Sequence, residues 1–252
     1  MTLTLTPLLN MPLIRPSDDL ADIIFTALQP SDIELQDGDI LILASKIVSK
    51  AEGRQVNLAT IIPTKKATEL ATRSAKDPRE CELVLSESHE ILRVRTGTII
   101  VEHRLGFVCA NAGIDHSNVA GEGKEWVLLL PKDPDRSAAE IRRRMEAASG
   151  KRLGVMIVDS HGRAWRLGVV GMCIGLSGLP GLVDERGWKD LFGYTLQITV
   201  IGAADELAAA ASLVMGQAAE GTPVVHVRGF QYPLREASFK ELLRPRKQDL
   251  FR

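Results

Sequence analysis

Apolar residues along the chain fall into two rhythms, one helical and one extended. Leu20, Ile23, Ile24, Ala27 and Leu28 recur at helical spacing behind Ser17, Asp18 and Asp19. This predicts an amphipathic helix capped by Ser17, with two acids in its first turn. Ile40 to Leu43 is an unbroken apolar run after Gly38, the mark of a buried strand. Residues 64–76 and 78–92 are read as two helices, the second opened by Pro78 at the first helical position. Residues 96–113 are read as two strands in a hairpin-like arrangement around Arg104-Leu105-Gly106. Ser137 and Glu140 form a capping box for a helix that Gly150 stops. Leu153 to Val158 then reads as a strand that delivers Asp159 at its carboxyl end. A strand over 195–201, an Ala-rich helix stopped at Gly216 and a short strand over 223–227 follow. The last stretch, SFKELLRPRKQDLFR, reads as a helix, a Pro break and a second amphipathic start. No fixed-period repeat and no low-complexity linker interrupt this order. Strands and helices mix without regular βαβ alternation. The expected class is α+β, with mixed sheets and flanking helices.

Composition narrows the function classes. The 252 residues suffice for one large domain or two small ones with a sizeable core. A net charge of −1 gives no chain-wide basic excess for nucleic acid or an anionic membrane, so anion binding has to come from a local arrangement. Aromatic residues, at 4%, are too few for base-stacking platforms. Cys81, Cys109 and Cys173 are odd in number and far apart, which argues against a disulfide framework or a zinc site and for a reducing, cytoplasmic setting. The N-terminal stretch lacks the basic and long apolar regions of a signal peptide, and no window has the apolar length of a membrane span.

Candidate chemistry concentrates in a few stretches. In IVDSHGRAWRLGVVGMCIGLSG (157–178) an apolar strand runs into Asp159 and Ser160. A carboxylate there is costly unless paired, hydrogen-bonded or on a metal. Taken alone, it also fits an Asx-turn cap. CANAGIDHSNV (109–119) repeats the pattern with Asp115 in a polar loop. Two such carboxylates, with hydroxyl or amide oxygens, suit a hard divalent cation. In ASKIVSKAEGR (44–54), Lys46 and Lys50 lie four apart beside Ser45 and Ser49. They are a solvated face if on an exposed helix, and phosphate-binding charges if at a strand end. Neither a Walker A pattern nor a G-x-G-x-x-G is present. VMGQAAEGTPVVHVRG (214–229) is a small-residue loop between helix and strand, either plain connection or a close backbone approach to a ligand. His116 and His161 sit in the two acidic loops as candidates behind the metal ligands. His89, His103 and His226 read as surface or core residues.

These stretches together resemble the coenzyme F420:L-glutamate ligase family (F420-0:gamma-glutamyl ligases). The matches are MPLI (11–14), GDILILASKIVSKAEGR (38–54), NAGIDHSNV (111–119), KRLGVMIVDSHGRAWRLGVVGMCIGLSG (151–178), KDLFGYTLQITV (189–200) and MGQAAEGTPVVHVRG (215–229), in order across nearly the whole chain. The resemblance implies a ligase domain over 1–245 and a C-terminal tail over 246–252, which looks like the junction to a nitroreductase-like domain absent here. It implies a fold specific to the family, as an intertwined homodimer. It also implies GTP as co-substrate, two divalent cations (Mn²⁺ or Mg²⁺) and a monovalent cation such as K⁺. The implied substrates are L-glutamate and the F420 precursor, with no nucleic acid or membrane partner. Carried over residue by residue, Asp115 and Asp159 hold one divalent ion, and Ser160 and Gln217 the other. Gln217 is uncharged where the family also has Glu. The implied GTP contacts are Met11, Pro12, Leu13, Ile14, Ser45, Lys46, Lys50, Asn118 and the loop Met215, Gly216, Gln217, Ala218, Ala219, Glu220, Gly221 and Thr222.

The chemistry implied is activation of a carboxylate as an acyl phosphate, followed by attack of the glutamate amine. Phosphoryl transfer is mainly positioning and charge neutralisation. Arg163 and Arg166 are candidates for pairing with phosphate or acidic substrate, against surface salt bridges as the plain alternative. The glycines of 168–178 would let backbone lie close to these groups. Two rival readings remain: a metal-dependent phosphohydrolase, which leaves the Lys46/Lys50 stretch without a role, and a non-catalytic nucleotide- or F420-binding module, which leaves the two acids without one.

Overall fold

The computed structural model describes residues 2–119 and 125–250. In chain order the elements are β1 (Thr4–Pro7), α1 (Leu20–Leu28), β2 (Ile40–Ala44), α2 (Ser45–Ala51), β3 (Gln55–Asn57), α3 (Lys65–Ser74), α4 (Pro78–Ser86) and β4 (Ser88–Arg95). There follow β5 (Thr98–His103), β6 (Val108–Ala110), β7 (Trp126–Leu128), α5 (Pro134–Ser149), β8 (Gly154–Arg163), β9 (Arg166–Ser177), β10 (Val183–Asp184), β11 (Val200–Ile201), α6 (Ala203–Met215) and β12 (Val224–Arg228). The class is α+β. A five-stranded sheet in the order β1-β12-β2-β8-β9 is antiparallel except for the β2–β8 pair. A three-stranded sheet, β4-β5-β6, and the pairs β3-β7 and β10-β11 complete it.

The apolar run of β2 is continuous because helices cover both faces of its sheet. Leu41 and Leu43 pack with Val155 and Ile157 against α1 and α5. Ile40 and Ile42 pack with Met156 and Val158 against Ala204, Leu207, Ala208 and Ala211 of α6. A third core lies between the three-stranded sheet and helices α3 and α4, around Cys81, Val84, Ile99 and Val101. Phe107 touches all three of these cores. The three cysteines are buried and unpaired.

Several boundaries differ from the sequence expectation. Asp19, not Ser17, caps α1, accepting from the amides of Ala21 and Asp22. Ser17 lies outside the helix at φ 68°. Helix α5 starts at Pro134 behind Asp133, so Ser137 is inside it and its hydroxyl donates to Glu52 (2.6 Å). The fixed φ of a first-turn proline and an Asp cap outweigh the capping box. Gly150 does stop α5 in the left-handed region. Helix α4 ends at Ser86, and Ser88–Arg95 pairs with β5 instead of continuing it. Of 195–201 only Val200–Ile201 is strand. The C-terminal stretch forms two 3-10 turns, Phe239–Leu242 and Arg246–Gln248. Arg246 anchors the second by ion pairs to Glu90 and Glu102; residues 251–252 of the expected tail lie outside the described residues.

Two corrections bear on the site. Strand β8 does not end at Val158. It runs on through Asp159 to Arg163 in a long hairpin with β9, while its parallel neighbour β2 stops pairing at Ala44↔Val158. Asp159 is therefore the first β8 residue beyond the β2 ladder. The glycines serve packing more than ligand approach. A Cβ on Gly171 would meet the Ala208 carbonyl of α6 at 2.5 Å, and one on Gly175 would collide with Pro134 of α5. Their absent side chains let both helices lie directly on β9.

Candidate active site

Where β2 gives way to α2, the chain opens a cleft of about 410 Å³. Its walls are the segment Met11–Ile14, the start of α2, the β8 residues Val158–Ser160 and the loop leaving α6. Every nucleotide contact implied by the resemblance borders this one cleft: Met11, Pro12, Leu13, Ile14, Ser45, Lys46, Lys50, Asn118 and all of Met215 to Thr222. Asp159, Ser160 and Gln217 border it too. Another hollow, of about 530 Å³, lies beside α5. Two of its charged groups are already engaged, Arg144 with Asp19 and Glu52 with the Ser137 hydroxyl.

Local geometry fixes each group. Lys46 and Lys50 are on neither an exposed helix nor a loop, but on a two-turn helix that starts where β2 ends. Ser45 is buried, and its hydroxyl donates to Asp159 Oδ1 at 2.6 Å. It thus holds the acid as well as bordering the cleft. Lys46 Nζ reaches across to Asp115 Oδ2 (2.7 Å) and to the Ser117 hydroxyl (2.5 Å). Asp115 itself does not border the cleft wall; Lys46 links it there. Burial pushes the Asp115 carboxyl up, but the Lys46 ammonium and the Ser117 amide outweigh it and hold the acid below its ordinary range. Lys50 is half-buried and has no ion pair among the described residues; burial, then the nearby Lys46 charge, pushes its ammonium down. A cation so placed gains from an anionic ligand.

The opposite wall is the 215–222 loop. Gly216 leaves α6 at φ 73°. Glu220 accepts from the Ala218 amide, and Thr222 Oγ1 donates to the Met215 carbonyl, so the loop is braced on itself. Asn118 Nδ2 donates to the Ala218 carbonyl at 2.9 Å, tying the Asp115 loop to this one. Ser160 Oγ donates to Gln217 Oε1 at 2.8 Å, and Gln217 Nε2 to Ser212 Oγ at 3.0 Å.

Arg163 and Arg166 are brought elsewhere. They face each other at the far end of the β8–β9 hairpin and do not border the cleft. Neither makes an ion pair among the described residues, so the salt-bridge alternative is not what holds them either. His116 pairs with Glu80. His161 does sit behind Asp159, its Nε2 at 3.0 Å from Oδ2. His103 and His226 are core residues and His89 is exposed. The sequence reading missed Ala44, Ile47, Val158, Gly171, Ser212 and Pro223 on the cleft wall. All but Ser212 are apolar or glycine, with no chemical signal to find them by; Ser212 stood out only as a hydroxyl in an Ala-rich helix.

The donor set fits hard divalent cations. Among the described residues no three His, Cys, Asp or Glu side chains gather as a metal cluster. What the cleft edge offers instead is oxygen, from the Asp159 carboxylate, the Ser160 hydroxyl and the Gln217 amide carbonyl, with the Asp115 carboxylate behind Lys46. Such a low-charge set suits Mg²⁺ or Mn²⁺, which keep positions for water and substrate phosphate.

Residues 8–229 match the family described as F420-0:Gamma-glutamyl ligase. The chain is similar to the coenzyme F420:L-glutamate ligase of Methanothermobacter thermautotrophicus, 49% identical over 96% of each chain. It is similar to that of Methanopyrus kandleri, 47% identical over 95% of this chain and 93% of the relative. It is also similar to that of Archaeoglobus fulgidus, 44% identical over 98% and 95%.

Proposed function

The chain belongs to the F420-0:gamma-glutamyl ligase family, and from that premise we propose that it is a GTP-dependent ligase adding L-glutamate to the F420 precursor and extending a gamma-linked tail. The enzyme class, an acid–amino-acid ligase, follows from the family. The observation that carries the rest is the single cleft, in which two lysines, a braced glycine loop and an oxygen-rich edge face one another.

A carboxylate does not form an amide unaided, because oxide is a poor leaving group. In the proposed sequence a carboxylate oxygen of the precursor attacks the γ-phosphorus of GTP, releasing GDP and leaving an acyl phosphate. The glutamate amine, having lost its proton, then attacks the acyl carbon, and the C–O bond breaks to release inorganic phosphate. Lys46 and Lys50 bind and orient the nucleotide phosphates as charge-assisted donors. The 215–222 loop offers backbone groups at close range, and Met11–Ile14 give the nucleotide an apolar wall. Asp115, Asp159, Ser160 and Gln217 are the residues that would hold two divalent cations, which supply charge neutralisation at the phosphates when bound. A monovalent cation such as K⁺ is part of the same reading.

We place the ligase domain at 1–245 and read the protein as a homodimer of the cytoplasm. Among the described residues no helix is long and apolar enough to cross a membrane. Support for the dimer is an exposed apolar surface: Trp165 and Leu167 at the hairpin tip, and Leu191, Phe192 and Ile198 between β10 and β11, are all more than 85% exposed. Surface of that kind marks association.

The test is an omission series with GTP, Mn²⁺, L-glutamate and the F420 precursor. Ligation requires that GTP loss depend on both glutamate and precursor and that product mass rise by glutamate units. GTP loss without them would make the protein a phosphohydrolase, and binding without turnover would make it a binding module. Sedimentation at micromolar concentration showing a mass of one 27.5 kDa chain would refute the dimer.

A further inference from the structure

Asp159 is held by two clamps, and only one is hydroxylic. Ser45 Oγ, from the first residue of α2, donates to Oδ1 at 2.6 Å. On the other side His161 places Nε2 3.0 Å from Oδ2. His161 is two residues along β8 and so on the same face of the strand as the acid. It is 6% exposed, and the contact lies off the axis of a linear hydrogen bond, leaving Nε2 with no well-aligned partner. The ring is fixed from behind. It tilts against Phe107 with centroids 5.1 Å apart, and it borders a small cavity of about 200 Å³ together with Phe239 and Leu242. A buried polar nitrogen without a well-aligned partner is costly unless it serves a neighbour. The carboxylate oxygen at 3.0 Å is the Asp159 oxygen that Ser45 does not hold, while Asp205 borders the same small cavity as the ring.

We propose that His161 is a positioning residue: with Ser45 it fixes the rotation of the Asp159 carboxylate and so sets the affinity of the site for a divalent cation, without itself touching cation or substrate. This rests on the reading of Asp159 as a cation ligand. The physical reason is that a carboxylate on a strand has a freely turning side chain, whereas a ligand must present its oxygen in one direction. Partners behind metal ligands commonly carry about 10–100-fold in metal affinity. Nothing in the chemistry needs the imidazole to change charge; a fixed N–H at this place is enough.

The experiment is Mn²⁺ binding to the full chain, with Mn²⁺ alone as probe, read by the electron paramagnetic resonance of free Mn²⁺ and by calorimetry. Three variants are compared, each with its melting temperature taken without metal. His161→Phe keeps the ring and its packing on Phe107 but removes the nitrogens. The expected result is at least about tenfold weaker Mn²⁺ binding with an unchanged or higher melting temperature, since an apolar ring suits Phe107, Phe239 and Leu242. His161→Gln restores an N–H at a similar reach and is expected to recover most of the affinity. Asp159→Asn is expected to lose Mn²⁺ binding more completely than either. A His161→Phe protein that binds Mn²⁺ like wild type, while Asp159→Asn does not, overturns the positioning role and leaves the Asp159 reading intact. An Asp159→Asn protein that binds like wild type overturns both. A melting temperature that falls with no change in Mn²⁺ affinity makes His161 a packing residue only. Should the Phe variant not fold, His161→Leu against His161→Gln carries the same comparison, and equal affinities in that pair refute the proposal.

Discussion

Replacing Lys46 with Met is expected to move metal binding and nucleotide binding in opposite directions. An ammonium and a divalent cation compete for the same oxygen, Asp115 Oδ2, which Lys46 holds at 2.7 Å. Two unit charges at that distance attract by about 6 kcal/mol at an effective dielectric constant of 20. The side chains are 28% and 39% exposed, however, so solvent screens most of this. Pairs of that exposure contribute at most about 1 kcal/mol. A divalent ion binding Asp115 therefore gains about that much when Lys46 is absent, roughly a fivefold rise in affinity. The phosphates lose a charge-assisted donor worth about 1.5–3 kcal/mol, or roughly ten- to a hundredfold in GTP affinity. Calorimetric titration of Mn²⁺ alone, then of GTP in saturating Mn²⁺, separates the two. Lys50→Met is the control: it removes the same charge one helical turn away, with no contact to Asp115. Its Mn²⁺ gain should be smaller, while GTP binding should still weaken. The competition argument fails if Lys46→Met binds Mn²⁺ no better than Lys50→Met. The phosphate assignment fails if neither variant weakens GTP.

Asp159→Asn keeps the shape of the side chain and its Ser45 bond, so folding should hold while turnover falls by roughly two or more decades, the scale of one electrostatic group at an active site; near-normal product formation would remove Asp159 from the mechanism. His103 is fully buried, and its imidazolium is disfavoured by burial and then by Arg104, which brings its titration down from 6.5 to about 4. The unfolded chain thus takes up that proton first as pH falls. The stability contribution is complete above about pH 6.5 and is lost towards pH 4, by up to about 3 kcal/mol. Urea unfolding of His103→Gln should show a flatter pH dependence in that window, and an unchanged slope would contradict the assignment. Gly171→Ala puts a methyl against the Ala208 carbonyl, which α6 cannot yield without shifting. A loss of about 1–3 kcal/mol by denaturant unfolding is expected, and a neutral result would mean that α6 and β9 are not so closely packed.

Much of this was legible from the sequence because it depends on near neighbours. The β2 run, the Gly150 stop, the hairpin about Gly106 and the short strand expected over 223–227, observed as Val224–Arg228, each follow from spacing and caps within a few residues. Family resemblance placed the cleft residues, and all of the nucleotide positions it implied do border one cleft. Where local signals competed, reading failed. Ser137 with Glu140 looks like a start, but Asp133-Pro134 lies one turn upstream and wins. The stretch 88–95 carries no local mark against helix and becomes strand only because β5 is there to pair with it. What the tertiary structure alone decided is which groups answer each other. Ser45 meets Asp159 across 114 residues, Lys46 meets Ser117 across 71 and Asn118 meets Ala218 across 100. The same holds for the glycines of β9, whose use against α5 and α6 depends on helices distant in the chain. Periodicity and capping are short-range effects, whereas a carboxylate's partner is set by which strand ends lie side by side in the sheet.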